Sequence, residues 1–171
     1  MRRILKERYR HYMENIQFRI NYVDLYAEYS YRWDKALKMC IALTSSASIG
    51  AWAIWQQYSS VWACVIAASQ VVAAISAFLP YGNRLKVLAI FMRELKLLYN
   101  KIEYNWLKVS TGELNQDEIN DLLYKFGEQY IEIENTCLKE ELLLDNQRFI
   151  RKANKKTDLY FQEFEDSGIK K

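Results

Sequence analysis

Charge is missing from the middle of this chain. From Met39 to Asn83 there is no Asp, Glu, Lys, Arg or His, although the rest is dense in both signs. Helix breakers are scarce as well: one proline and five glycines in 171 residues. So few breakers exclude a turn-rich sheet protein and favour long helices. The single histidine, His11, lies in a basic stretch and reads as an exposed or packing residue rather than a base. Cys40, Cys64 and Cys137 form no paired motif, and two of them sit in apolar runs. They read as buried reduced thiols rather than a disulfide framework. There is no glycine-rich phosphate loop. The acidic pairs Glu132 with Glu134 and Glu140 with Glu141 lie among residues of both signs and read as solvated helix faces, not as a metal or acid–base site. No enzyme activity, catalytic residue, metal or cofactor is expected. The net charge of +3 is too small to argue for a nucleic-acid binder, and no direct nucleic-acid contact is expected.

Within the uncharged gap lie two apolar runs, Met39 to Trp55 and Val61 to Leu79. As helices they would measure roughly 26 and 28 Å, close to the roughly 30 Å hydrocarbon core of a bilayer. The mean hydropathy of −0.27 hides this contrast. Gln56-Gln57-Tyr58-Ser59-Ser60 is a short polar linker, so the two runs predict antiparallel neighbours. A soluble bundle would have to wrap both runs around most of their circumference. The fold class expected is all-α: a two-span transmembrane hairpin with long cytoplasmic helices at both ends, assembled as a homo-oligomer. Arg32, Lys35 and Lys38 precede the first run, Arg84, Lys86 and Arg93 follow the second, and the tip has no basic residue. This asymmetry puts both termini in the cytoplasm and the tip outside. Trp33 and Tyr81 mark the inner boundary; Trp52, Trp55, Tyr58 and Trp62 mark the outer one. The first 38 residues are too charged for a cleaved leader.

The flanks read as helices. Residues 1–38 form a cytoplasmic helix with a seam of Leu5, Tyr9, Tyr12, Ile16, Val23 and Tyr26. The cluster Arg2, Arg3, Lys6, Arg8 and Arg10 reads as a solvated helix end that reinforces orientation, ahead of an anionic-lipid or nucleotide contact. Residues 80–171 form a second cytoplasmic region. After a break at Pro80-Tyr81-Gly82-Asn83 a helix is expected from Arg84 to about Val109, with Leu85, Leu88, Phe91 or Met92, Leu95 and Tyr99 on one face. Ser110-Thr111-Gly112-Glu113 reads as a turn and Asn115 as an N-cap, with Asp117 and Glu118 in the first turn. One long helix is then expected from about Gln116 to about Lys152, with a seam of Ile119, Leu122, Phe126, Ile133 and Cys137. The tail beyond is expected to fray, with Leu159, Tyr160, Phe161 and Phe164 available to dock.

The candidate functional residues fall in the hairpin, residues 39–79. Ala42, Ser46 and Gly50 on the first run, and Ser69, Ala73 and Ala77 on the second, recur every four residues. Small side chains at that spacing let membrane helices approach closely. Gln70 is an amide at mid-span and needs a partner in lipid or a watery path. The pore-lining candidates are therefore Gln70, Ser69, Ser76 and Thr44. One hairpin encloses no channel, so a pore requires several copies.

Tyr31-Arg32-Trp33, the segment Phe78-Leu79-Pro80-Tyr81-Gly82-Asn83-Arg84, Asn105-Trp106-Leu107 and Gly112-Glu113 together resemble the SLATT family, over roughly residues 20 to 135. These are bacterial two-helix membrane effectors encoded beside nucleotide-signal synthases, nucleotide sensors or reverse transcriptases in phage-defence loci. The resemblance implies an inner-membrane protein that oligomerises and forms a pore to disrupt the membrane of an infected cell. It carries over no catalytic residue. With no fused sensor domain, it implies a trigger by a cytoplasmic sensor protein or a nucleotide signal. The alternative is a non-conducting membrane anchor or adaptor that recruits a cytoplasmic partner.

Overall fold

The computed structural model describes residues 2–54, 59–78, 81–138, 143 and 145–169, with side chains at 2, 43–54, 59, 62, 65, 75–78, 81, 165 and 167–169 outside the description. The described residues are all-helical and contain no strand. Five helices follow in chain order: α1 (Arg2–Ile54), α2 (Ser59–Phe78), α3 (Tyr81–Thr111), α4 (Gln116–Cys137) and α5 (Gln147–Ile169). They divide into two compact units. One comprises Met1–Ala27 with Lys86–Lys171, the other Glu28–Leu85.

The first unit has a core built from helical stripes. α1 buries Tyr9, Met13, Ile16, Ile20 and Val23; α3 buries Leu88, Phe91, Leu95, Leu98 and Ile102; α4 buries Ile119, Leu123 and Phe126. Steps of three and four keep each set on one face of its helix. The expected seams are present except for Leu85, which is not among this core's residues, with Leu98 and Ile102 added on α3, Leu123 on α4, and Met13 and Ile20 on α1. Tyr9 joins three helices. Its ring stacks on Trp106 of α3 at 5.8 Å and meets Phe126 of α4 edge-on at 6.5 Å. Its hydroxyl donates to the Ile102 carbonyl at 2.9 Å.

Short-range chemistry ends α3 and starts α4 as the turn residues require. Gly112 sits at φ +81, and the Glu113 amide donates back to the Lys108 carbonyl at 3.0 Å. This is a Schellman closure, which needs a left-handed residue and so favours glycine. Lys6 Nζ donates to the Ser110 carbonyl at 2.7 Å, adding a cation where the dipole of α3 is negative. Asn115 caps α4 with a reciprocal box: its side chain accepts from the Glu118 amide at 2.9 Å, and its own amide donates to Glu118 Oε2 at 2.7 Å.

The helix expected from Gln116 to Lys152 is two helices. α4 stops at Cys137, with Leu138 as its C-cap. A new start follows at Asn146, whose Oδ1 accepts from the Arg148 amide at 2.9 Å. The Asn146 amide donates to the Tyr22 hydroxyl at 3.1 Å, which ties the start of α5 to α1. The tail expected to fray is also helical, to Ile169. Its apolar face docks through Ala153, Thr157 and Phe161, with Tyr160 beside them, while Leu159 stays exposed. α5 runs antiparallel to α1: Phe149 meets Tyr26, Lys156 Nζ lies 3.2 Å from Asp24, and Asn21 donates to Thr157 Oγ1 at 3.0 Å. α3 begins at Tyr81, three residues earlier than expected; Pro80 lies outside the described residues.

In the second unit α1 continues without interruption from the charged flank into the first apolar run. Exposed i,i+4 pairs line the flank, Arg32 with Glu28 and Lys38 with Asp34. Ser30 is buried among the described residues of this unit.

Candidate functional site

α2 is the unusual surface of this protein. It has no charged residue, and Val61, Ala63, Cys64, Ile66, Ala67, Ala68, Gln70, Val71 and Ala74 are all exposed within the chain. A soluble protein rarely leaves so much contiguous apolar surface uncovered. Ser69, Val72 and Ala73 are half-buried. Among the described residues, no helix is long and apolar enough to cross a membrane. Both apolar runs pass through positions whose side chains lie outside the description.

Of the pore-lining candidates, Gln70 is exposed and Ser69 half-buried. The Ser69 hydroxyl donates to the Ile66 carbonyl in its own helix at 2.7 Å. Such a back-bond satisfies a serine without water or a neighbouring helix. The side chains of Thr44 and Ser76 lie outside the described residues, as do those of Ser46, Gly50 and Ala77. Ala42 is exposed and Ala73 half-buried. Cys40 and Cys64 are exposed rather than buried; Cys137 is half-buried, and burial raises its thiol pKa. His11 is exposed, 3.7 Å from Glu14. Among the described residues, no group of three or more His, Cys, Asp or Glu is placed to hold a metal.

A second feature escaped the sequence reading. A cavity of about 410 Å³ opens in the first unit between α1, α3, α4 and the start of α5. Phe18, Tyr22 and Phe91 give it aromatic walls, and Arg19, Glu134 and Asp145 its charge. Arg19 is already engaged. Its guanidinium lies 4.6 Å from the centre of the Tyr130 ring, its Nη1 donates to the Tyr130 hydroxyl, and its Nε donates to Asn15 at 3.3 Å. The Tyr130 hydroxyl in turn donates to Glu134 at 3.2 Å. Burial pushes the Tyr130 pKa up to about 12, with Arg19 acting the other way and Glu134 adding to the rise. Two carboxylates against one occupied guanidinium disfavour an anion. The pattern was hidden because its polar members lie more than 100 residues apart in sequence.

No family model, curated protein or solved structure matches this chain.

Proposed function

We propose that the chain is a bacterial inner-membrane effector, embedded through α2 and the apolar end of α1, that oligomerises and forms or gates a pore. One observation carries this reading: α2, with no charged residue, is left exposed by its own chain. Twenty residues at 1.5 Å rise correspond to about 30 Å, the thickness a bilayer would cover. The basic flanks, all on one side of the hairpin, orient both termini towards the cytoplasm. The resemblance to the SLATT effectors supplies the defence context. Gln70 is the residue most in need of water or of a partner from another copy, since lipid offers its amide nothing.

The purified full chain, reconstituted in vesicles, should release an entrapped dye. Gln70→Leu should insert equally well and leak several-fold less. Equal leakage at equal membrane abundance would remove Gln70 from the pathway. The absence of vesicle association would remove the membrane reading altogether.

One observation favours the alternative of a non-conducting anchor or adaptor. Ser69 is satisfied by its own backbone, so one of the polar candidates needs no water-filled path. The cavity chemistry favours a protein trigger over a nucleotide one, because a phosphate entering there would face Glu134 and Asp145.

A further inference from the structure

Two helices of the first unit turn opposite charge to solvent. α3 carries six basic residues and two acidic ones; α4 carries six acidic and one basic. On the outer face of α3, Arg93, Leu97, Lys101, Tyr104 and Lys108 form a row with steps of three and four. On the outer face of α4 the row is Asp121, Tyr124, Glu128, Ile131 and Asn135. Its apolar members are well exposed, as are those of α3: Leu97 by 50 %, Tyr104 by 67 %, Tyr124 by 70 % and Ile131 by 56 %. Single exposed apolar side chains are ordinary. A row at this spacing, apolar and charged by turns, is the seam of a helix pair. We propose that a second copy of this chain docks here, its α4 antiparallel on α3, and that the contact repeats head-to-tail around the membrane normal.

The two rows match layer by layer. With Leu97 opposite the partner's Ile131, Tyr104 meets the partner's Tyr124. Lys101 then faces the partner's Glu128, Lys108 the partner's Asp121, and Arg93 the partner's Asn135. Charge selects this occupant. α3 against α3 would set a basic row on a basic row, and α4 against α4 an acidic row on an acidic one. Glu94, the acid beside the α3 row, is held by Arg93 of its own chain at 2.8 Å. Orientation agrees as well. Copies in one bilayer are related by rotation about the membrane normal, which keeps every helix at its own level and direction. Within one chain Glu94 lies beside Cys137, and Lys101 and Gln129 line one cavity, so α3 and α4 run antiparallel. The same pairing of levels, to within about two residues, is the one that the rows select between copies. Each copy gives α3 to one neighbour and α4 to the other, the kind of contact that closes into a ring. At the surface of one chain Lys108 lies over the Tyr104 ring at 5.1 Å and Tyr124 bonds Glu128, contacts that are readily exchanged.

This interface takes from the membrane reading the common orientation of the copies. The test uses the full chain in detergent, with Cys40, Cys64 and Cys137 replaced by serine. A chain carrying Leu97→Cys is co-expressed with a differently tagged chain carrying Ile131→Cys and treated with a short thiol crosslinker. The mixed product should dominate. Predominance of Leu97–Leu97 or Ile131–Ile131 products, or no product, overturns the pairing. Lys101→Glu should weaken association about fivefold at each contact, because an attractive pair becomes repulsive. Adding Glu128→Lys to the same chain should restore it. Unchanged association with Lys101→Glu, or no recovery in the double variant, also overturns the proposal. The two readings fail separately. Crosslinking of α3 to α4 without dye leakage sinks the pore, and leakage from an oligomer that never crosslinks through these rows sinks this interface.

Discussion

Replacing Tyr9 separates two contributions to the first unit. Tyr9 is fully buried, with its ring between Trp106 and Phe126 and its hydroxyl on the Ile102 carbonyl at 2.9 Å. Tyr9→Phe keeps the ring and removes one hydrogen bond. The Ile102 carbonyl lies inside α3 and keeps its helical partner, so the expected cost is the net value of one bond, about 1 kcal/mol. Tyr9→Ala removes the ring as well and opens a cavity among α1, α3 and α4. Large-to-small changes of this kind cost about 3–5 kcal/mol. For a chain of this size about 1 kcal/mol shifts the melting temperature by roughly 3 °C. Thermal unfolding in detergent, followed by circular dichroism, should therefore show a small step for Phe and a drop of roughly 10 °C or more for Ala. Hydrogen exchange should localise the loss in Ala to the α4 amides. Equal shifts for the two variants would refute the reasoning, because the ring contacts would then carry nothing.

Asn115→Ala removes the side-chain half of the cap on α4, keeps the backbone amide that donates to Glu118, and should cost about 1 kcal/mol, read as faster exchange of the Glu118 amide. Gly112→Ala forces a Cβ into a left-handed residue and should cost about 1–2 kcal/mol in the same melt, although open space surrounds the position. Alkali should loosen the first unit: burial pushes Tyr12 and Tyr130 up to about 12, with Arg19 acting against the shift. Unfolded tyrosine ionises near about 10, so this stabilisation is full below that pH and is lost as pH rises towards 12. An ultraviolet tyrosinate titration with no late-ionising class would refute this. Ser59→Cys, with Cys40, Cys64 and Cys137 replaced by serine, should react with an impermeant thiol reagent on intact cells; reaction only after permeabilisation would reverse the proposed orientation.

The helical seams were legible because burial follows a period of three and four, and Tyr9, Ile16, Leu88, Leu95 and Phe126 stand where that period puts them. Gly112 and Asn115 were legible because their chemistry acts within a few residues. The α4–α5 boundary was not. In sequence the apolar residues continue through Leu142 to Leu144, and the start of α5 is held by the Asn146 amide on the Tyr22 hydroxyl, 124 residues away in sequence. α5 was misread because its dense charge lies on the outer face, while Ala153 and Thr157, both small, make the inner contact. The candidate site was legible only in part. Lack of charge in α2 marked its surface, but Ser69 bonding to its own backbone and the Arg19–Tyr130–Glu134 chain are properties of three-dimensional placement.

The antiparallel seating of α5 on α1 has a consequence for the order of events during synthesis. Asp24 meets Lys156 across 132 residues and Asn21 meets Thr157 across 136. The α1 face leaves the ribosome first and finds this partner only once α5 has emerged. Contacts of such long sequence separation form late and slow folding. During that interval the apolar runs of α1 and α2 have already emerged. Emergence of those runs therefore precedes closure of the first unit, and a nascent chain arrested before Gln147 should expose Tyr22 and Tyr26 to modification that a chain extending through α5 resists.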